Sequence, residues 1–410
     1  MENRKRLVLS ILIPFACGYF LSYLLRNVNA IIAPELVRTF KLNAADLGLL
    51  TSAYFFTFAF SQPLLGICLD RFGPRRVEGT LLLFAALGSL LFGISGSLSG
   101  LIIGRSLIGL GVSVCLMAGL KANALWFHPH RLGAMNGWIL AGGGLGVVFS
   151  TAPVSYLLGF MTWRDLFYLF ALAFFAVSIF IFSLVPEKAE KNRPLSLAEQ
   201  IEGFRLIVNN VEFWRITPLV MFSQSTFMSI AGLWAAHWMK DVAGYGRYEI
   251  ANYLFLAAIS MMMGHIFLGN LASRLARSGI SQKYVVGLGV ALAVLLHSAL
   301  AFGYTGMPFL VWLLFGFLGC AGTVSFAIVA QLFPTTLVGR ANAILNLMVF
   351  VATFFVQWGM GVMINYFPTG IDSYAPKGYA LAFGMMALCQ SLALIHFFYP
   401  HKRASKFQPV

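Results

Sequence analysis

Charge is what this sequence has least of. Only 10% of its 410 residues are Asp, Glu, Lys or Arg, and only fourteen are acidic; an ordinary soluble domain carries about 25% charge. With 59% hydrophobic residues, no soluble fold of this length has enough polar surface to cover itself. The chain is therefore read as a polytopic membrane protein. It has no G-x-x-x-x-G-K-S/T loop and no hydrophilic stretch long enough for a nucleotide-binding domain, so ATP is excluded as the energy source. It has no H-E-x-x-H helix and no paired acids or metal ligands within apolar runs. That argues against an integral-membrane enzyme, and no cofactor or metal is expected. The five cysteines (Cys17, Cys68, Cys115, Cys320, Cys389) are scattered through apolar runs and suggest neither a disulfide framework nor a metal site. The first apolar run is too long for a secretory leader and lacks a small-residue cleavage pattern, so it reads as a signal anchor and first span.

Twelve apolar segments stand out, at about 7–37, 44–70, 76–97, 99–126, 132–160, 164–186, 213–240, 247–273, 282–303, 306–333, 338–366 and 377–399. Each is long enough to cross a bilayer, and each must be helical because backbone in lipid has to satisfy its own hydrogen bonds. The net charge of +14 is a topology signal rather than a nucleic-acid footprint. Eighteen Lys and Arg fall in connections on one side and six on the other, which places both termini in the cytoplasm. The longest hydrophilic stretch, 187–212, contains Ser196-Leu197-Ala198-Glu199, a capping box. Ile201, Phe204, Leu206 and Ile207 follow at helical spacing, as in a helix lying along a membrane surface. The expected organisation is a six-helix bundle over 1–186, a linker over 187–212 and a second bundle over 213–410. The halves echo each other. Gly66, Asp70 and Arg71 are matched in spacing by Gly269, Ser273 and Arg274, and the Phe127–Ala134 stretch by Phe333–Ala343.

Between the second and third segments stands Gly66-Ile67-Cys68-Leu69-Asp70-Arg71-Phe72-Gly73-Pro74-Arg75-Arg76. Gly73 and Pro74 turn the chain, and the arginines hold the turn on the cytoplasmic side. This pattern resembles the signature loop between helices 2 and 3 of the major facilitator superfamily, with Leu69 replacing the small residue usual there. The resemblance covers essentially the whole chain. It implies an all-α membrane protein of twelve helices in two pseudo-symmetric bundles, working by alternating access as a monomer in a bacterial cytoplasmic membrane. The implied partners are the lipid bilayer, a small-molecule substrate, and protons or a counter-anion; nucleic acid is not among them. It also implies gating roles for Gly66, Asp70, Arg71, Gly73, Arg75 and Arg76, with Asp70 latching the inner helix ends in the outward-facing state. Arg105-Ser106-Leu107-Ile108-Gly109-Leu110-Gly111 is similar to the family's arginine-glycine motif, tied in many members to proton coupling; the alternative is an arginine that bonds backbone carbonyls. The triple glycine Gly142–Gly144 is similar to a feature of nitrate/nitrite porters, and is equally what close helix packing uses. The Gly-Pro pair of drug/proton antiporters is missing there.

All fourteen carboxylates are expected at span ends or in loops, whereas Arg26 and Arg105 fall mid-span. A charge at the bilayer centre costs at least about 2.5–3.5 kcal/mol, so Arg26 is expected to face a substrate anion, a carbonyl or water. Tyr19, Tyr23, Arg26, Asn27 and Ala30 share one helix face. Tyr-x-x-Arg-Asn in a first span is similar to the anion-binding pattern of organic-anion and sugar-phosphate transporters of the superfamily, and a guanidinium grips carboxylate or phosphate by two parallel hydrogen bonds. The alternative is an arginine paired with Glu35 or Asp46. Gln224, Asn346 and Gln357 are further candidate cavity contacts. His265 is a candidate proton carrier, since imidazole titrates near neutrality. Lys121 either snorkels or extends a positive path inward. The function read from these residues is secondary or facilitative transport of a small anionic metabolite; the alternative is proton-coupled transport of amino acids, peptides or other neutral or zwitterionic solutes. Without a mid-membrane acid, exchange, facilitated diffusion, or symport with the proton on substrate or histidine all remain open.

Overall fold

Helix is the only open-ended structure that leaves no backbone group unpaired in an apolar layer, and the chain is helical almost throughout. The computed structural model describes residues 2–187, 197–370 and 373–399. In the first half lie α1 (Glu2–Asn27), α2 (Asn29–Phe40), α3 (Ala44–Ile94), α4 (Leu98–Val112), α5 (Cys115–Trp126), α6 (Pro129–Phe149), α7 (Ala152–Leu157) and α8 (Trp163–Leu184). The second half begins with α9 (Leu197–Val208) and continues through α10 (Val211–Ser229), α11 (Ala235–Asp241), α12 (Arg247–Arg277), α13 (Gln282–Ala301), α14 (Pro308–Gly319), α15 (Ser325–Ala330), α16 (Thr335–Asn365) and α17 (Pro376–Phe398). Among the described residues, ten helices are long and apolar enough to cross a membrane, and Ala134–Phe149 is a shorter apolar helix. Each expected apolar segment falls on these elements. The 51-residue α3 holds two of them, because Gly73, at φ 77° and ψ 161°, breaks it into two arms. That backbone conformation favours glycine.

Five of the segments are interrupted: the fifth breaks at Ser150–Thr151, between α6 and α7, and the other four interruptions correspond between halves. The first segment breaks at Val28, between α1 and α2. The seventh carries a π-helical turn over Ile230–Trp234. The fourth breaks at Ser113–Val114, where the amide nitrogen of Gln62 donates to the freed Ser113 carbonyl at 2.9 Å. The tenth narrows to a 3-10 turn over Ala321–Val324. Interruptions at matching positions of two repeats mark where a transporter's binding site forms, and these turns were not legible in the sequence. The glycines of α6 pack against α1. A Cβ at Gly142 would lie 2.9 Å from the Ala16 carbonyl, and one at Gly146 would collide with that of Phe20.

Two ends of the molecule are distinguished by their connections. The basic end carries the Gly73 turn and α9; the distal end carries residues 41–43, 95–97, 242–246, 302–307, 366–370 and 373–375. Among the described residues, the hydrogen bonds and ion pairs joining the two halves cluster toward the distal end. The Ala44 N–H donates to the Tyr374 hydroxyl at 2.7 Å. Arg247 meets Glu35 at 3.4 Å, and the Gln357 side chain donates to the Thr51 hydroxyl at 2.5 Å. Tyr374 sits on a two-strand turn, β1 (Pro368–Gly370) with β2 (Ser373–Tyr374), held by the Asp241 carboxylate, which accepts from the Tyr374 N–H at 3.1 Å and the Tyr379 hydroxyl at 2.6 Å. In α9, Ile207 is buried while Phe204 and Leu206 are exposed. The linker residues 188–196, the Ser196 capping box, the loop residue Asp372, and the basic residues Lys188, Lys191, Arg193, Lys402, Arg403 and Lys406 lie outside the described residues.

Candidate functional site

Arg26 occupies the last turn of α1, where the helix ends and Asn27 donates its side-chain N–H to the Tyr23 carbonyl at 2.9 Å. Its side chain is buried, at 8% exposure. Among the described residues no carboxylate stands within ion-pair distance of it. Glu35 is engaged by Arg247, and Asp46 closes a capping box with Asn43, so neither acid named as an alternative partner takes the charge. The guanidinium lies instead among rings: 4.3 Å from the centroid of Tyr23, 5.1 Å from Phe58 and from Phe350, and 5.9 Å from Tyr54. Aromatic faces attract a desolvated cation by about 1–2 kcal/mol each, which offsets part of the cost of burial. Its Nε has no acceptor. Phe350 comes from α16, so the box around Arg26 is completed only by the other half.

Arg26 opens onto a cavity of about 140 Å³ between the halves. Tyr23, Arg26, Asn27, Ala30 and Thr151 line it from the first half; Gln224, Ala231, Met261, His265 and Thr323 are among its walls from the second. Five sequence candidates (Tyr23, Arg26, Asn27, Gln224 and His265) thus meet in one space. Gln224 donates to the Gly319 carbonyl at 3.0 Å. The His265 Nδ1 lies 2.9 Å from the Met261 carbonyl and so carries the hydrogen. Tyr19 lies behind Tyr23, edge-on at 4.9 Å, outside the lining. Asn346 is half-buried on α16 and also outside it. Gln357 is not a cavity wall either: it bridges to Thr51, and its backbone carbonyl accepts from the Trp234 indole at 3.1 Å. The ring residues Tyr54, Phe58 and Phe350 were missed, because an aromatic on an apolar helix reads the same whether it faces lipid, core or ligand.

Arg105 is fully buried and donates to the Leu25 carbonyl at 2.8 Å. It fixes the backbone beside Arg26, as the carbonyl-bonding alternative required. Glu78, at the start of the third segment, has its side chain fully buried inside the first half, and neither of its oxygens has a hydrogen-bond partner among the described residues. Gly18 leaves the room for it, since a Cβ there would collide with Oε1. The sequence showed Glu78 as five residues past a turn; it could not show that the turn folds that residue back against the middle of α1.

The Gly66–Arg76 stretch ties elements within the first half. Asp70 pairs with Lys121 of α5 at 2.6 Å. Arg75 meets Glu187 at 3.5 Å and donates to the Phe182 carbonyl; Arg76 also pairs with Glu187. Arg71 lies 5.3 Å over the Phe72 ring, and nothing crowds Gly66. No cluster of three His, Cys, Asp or Glu among the described residues is placed to hold a metal ion.

The family model described as Major Facilitator Superfamily matches residues 15–357. The hexuronate transporter of Escherichia coli K12 is 26% identical over 302 residues, covering 68% of this chain and 69% of that protein. The probable sulfoacetate transporter of Cupriavidus necator is 23% identical over 301 residues, covering 69% and 70%. In fold, a bacterial homologue of the human lysosomal transporter Spinster, solved inward-facing and unoccupied, superposes with a TM-score of 0.78 at 15% identity over 95% of each chain.

Proposed function

This chain belongs to the major facilitator superfamily, and we propose that it carries a small anionic metabolite across a bacterial cytoplasmic membrane, gripping the substrate's negative group with Arg26. The observation that carries this reading is a buried guanidinium with no carboxylate partner among the described residues, opening onto a cavity shared by both halves. A cation in such a place needs compensation. The rings supply part, and a carboxylate or related anion accepting two parallel N–H bonds supplies the rest. Relatives named for hexuronate and sulfoacetate support a substrate bearing a carboxylate. The basic end is taken as cytoplasmic, on the bias of Lys and Arg; contacts clustered toward the distal end then correspond to an inward-facing state. Alternating access would break those contacts and bring the basic ends together, with Gln357 and Thr51 acting as part of the outer gate and Asp70 in the inner one.

The test is uptake into proteoliposomes of a hexuronate against the parent hexose. A preference of at least about tenfold for the acid is expected, since a charge-assisted hydrogen bond contributes roughly 1.5–3 kcal/mol and about 1.4 kcal/mol is tenfold. Equal uptake of both would reject the anion reading. Asp70→Asn is expected to slow uptake roughly tenfold while the amount of inserted protein stays constant. The Asp70–Lys121 pair holds the inner ends of two helices at 2.6 Å, and its removal disturbs the geometry they bring to closure. Normal transport by that variant would remove Asp70 from the gate.

A further inference from the structure

Resting on the anion reading, we infer that the distal end holds a second anion site, where Arg38 and Arg247 take the substrate's negative group on its way to or from Arg26. A cavity of about 270 Å³ lies there between the halves. From the first half, α2 supplies Ala30, Glu35 and Arg38; from the second, α11 and α12 supply Lys240 and Arg247. Three basic side chains thus share the cavity with one acid. Glu35 engages Arg247 at 3.4 Å, across the boundary between the halves. Among the described residues Arg38 has no carboxylate within ion-pair distance, and it is exposed. Other acids of the distal end are engaged elsewhere: Asp241 accepts from Tyr374 and Tyr379, Glu249 from the Gly246 N–H, and Asp46 from the Asn43 N–H.

The two cavities adjoin. Ala30 is a wall of both, and on the facing segment Ala231 lines the inner one and Ala236 the outer. Arg38 stands about 12 Å beyond Ala30 along the same helix. In this conformation α2 packs against the π-helical turn and closes the seam between them. The seam is thinly filled: a Cβ at buried Gly232 would find the Arg26 carbonyl, 4.0 Å away, as its nearest atom outside its own stretch of helix. An anion in the outer cavity has two consequences. Basic groups lining a cleft concentrate anions at its mouth, which raises the supply to Arg26. The anion also competes with Glu35 for the Arg247 guanidinium, whose forked donors suit an incoming carboxylate as well as the resident one. Displacing Glu35 breaks an ion pair that joins the halves. A ligand shifts a conformational equilibrium by as much as its affinities for the two states differ. Anion held by Arg247 therefore favours the conformation open at the distal end. The ligand class is a small carboxylate or similar oxyanion, and the step is an exchange of ionic partners with no covalent change.

The experiment measures uptake of labelled galacturonate by the full chain in membrane vesicles of both orientations, giving a KM at the distal face and one at the basic face. Arg38→Gln should raise the ratio of distal to basic KM about fivefold, the upper range for an exposed ion pair. Glu35→Gln removes the competing acid and should lower the same ratio about threefold. Arg38→Lys keeps the charge and should hold the ratio within about twofold of the wild type. Raising the ionic strength from about 10 mM to about 0.15 M shortens the screening length from about 30 to about 8 Å. The distal KM of the wild type should rise with it, and that of Arg38→Gln much less. Opposite signs for Arg38→Gln and Glu35→Gln are what a merely structural pair of residues would not give. A ratio unchanged in Arg38→Gln, one not lowered in Glu35→Gln, an Arg38→Lys that behaves as Arg38→Gln, or equal salt dependence overturns the outer site and leaves Arg26 in place. Failure of the wild type to move galacturonate or any other anion overturns both.

Discussion

Arg26→Lys should lower kcat/KM for an anionic substrate at least about 100-fold, and Arg26→Ala by more, with no loss of inserted protein. Lysine keeps the charge and reaches the same rings, but it replaces a planar fork with a point donor. The lost parallel hydrogen bond and poorer orientation amount to about 3 kcal/mol, or roughly 100-fold. Alanine removes the charge and leaves the anion facing Tyr23, Tyr54, Phe58 and Phe350 across the cavity. Stability separates this from a packing role. A buried cation with no acidic partner weakens a fold, so Arg26→Ala should melt, without ligand, no lower than the wild type. Initial uptake rates and melting temperatures on the same preparations check both halves of the expectation. A structural arginine would give the opposite pattern, with transport in proportion to surviving protein and a lower melting point.

The second large effect lies at the outer gate. A Cβ at Gly48 would stand 3.1 Å from the Gln357 carbonyl and 3.3 Å from the Trp358 Cα; one at Gly361 would press on the Ala44 backbone. The two halves touch there backbone to backbone. Leucine at both positions (Gly48→Leu with Gly361→Leu) should keep the distal ends apart. Overpacking costs about 1–3 kcal/mol per site, so the pair, at about 2 kcal/mol or more, shifts the conformational equilibrium by roughly 30-fold or more toward the state open at that end. Net uptake and exchange should both fall at least about 30-fold, while binding of the anion stays within about threefold, because neither glycine lines the cavity. Exchange at the wild-type rate would mean that these contacts do not have to form during the cycle.

The two halves of the account were legible in the sequence to different degrees, and the reason is depth. Lipid forces long apolar helices, so the segments and the membership of Arg26, Tyr23 and Asn27 on one face followed from spacing alone. Position along the membrane normal did not. Asn346 and Gln357 share a stripe, yet they are eleven residues apart, about 16 Å along a helix. Gln357 therefore reaches the gate, and neither residue reaches the cavity. The burial of Glu78 was hidden for the same reason, since only the fold at Gly73 and the absent side chain of Gly18 bring it inside. The π-helical turn over Ile230–Trp234, which puts Ala231 on the cavity wall, has no sequence signal beyond a glycine. The ring box needed the second half in place before Phe350 meant anything.

The central claim, that Arg26 binds the negative group of the substrate, is tested most directly by titrating purified wild type and Arg26→Ala with a hexuronate and with the parent hexose in a calorimeter. The account predicts heat of binding from the acid and little from the hexose in the wild type, with affinity for the acid lowered at least about 100-fold in Arg26→Ala. Equal affinity of the two proteins for the acid would contradict it.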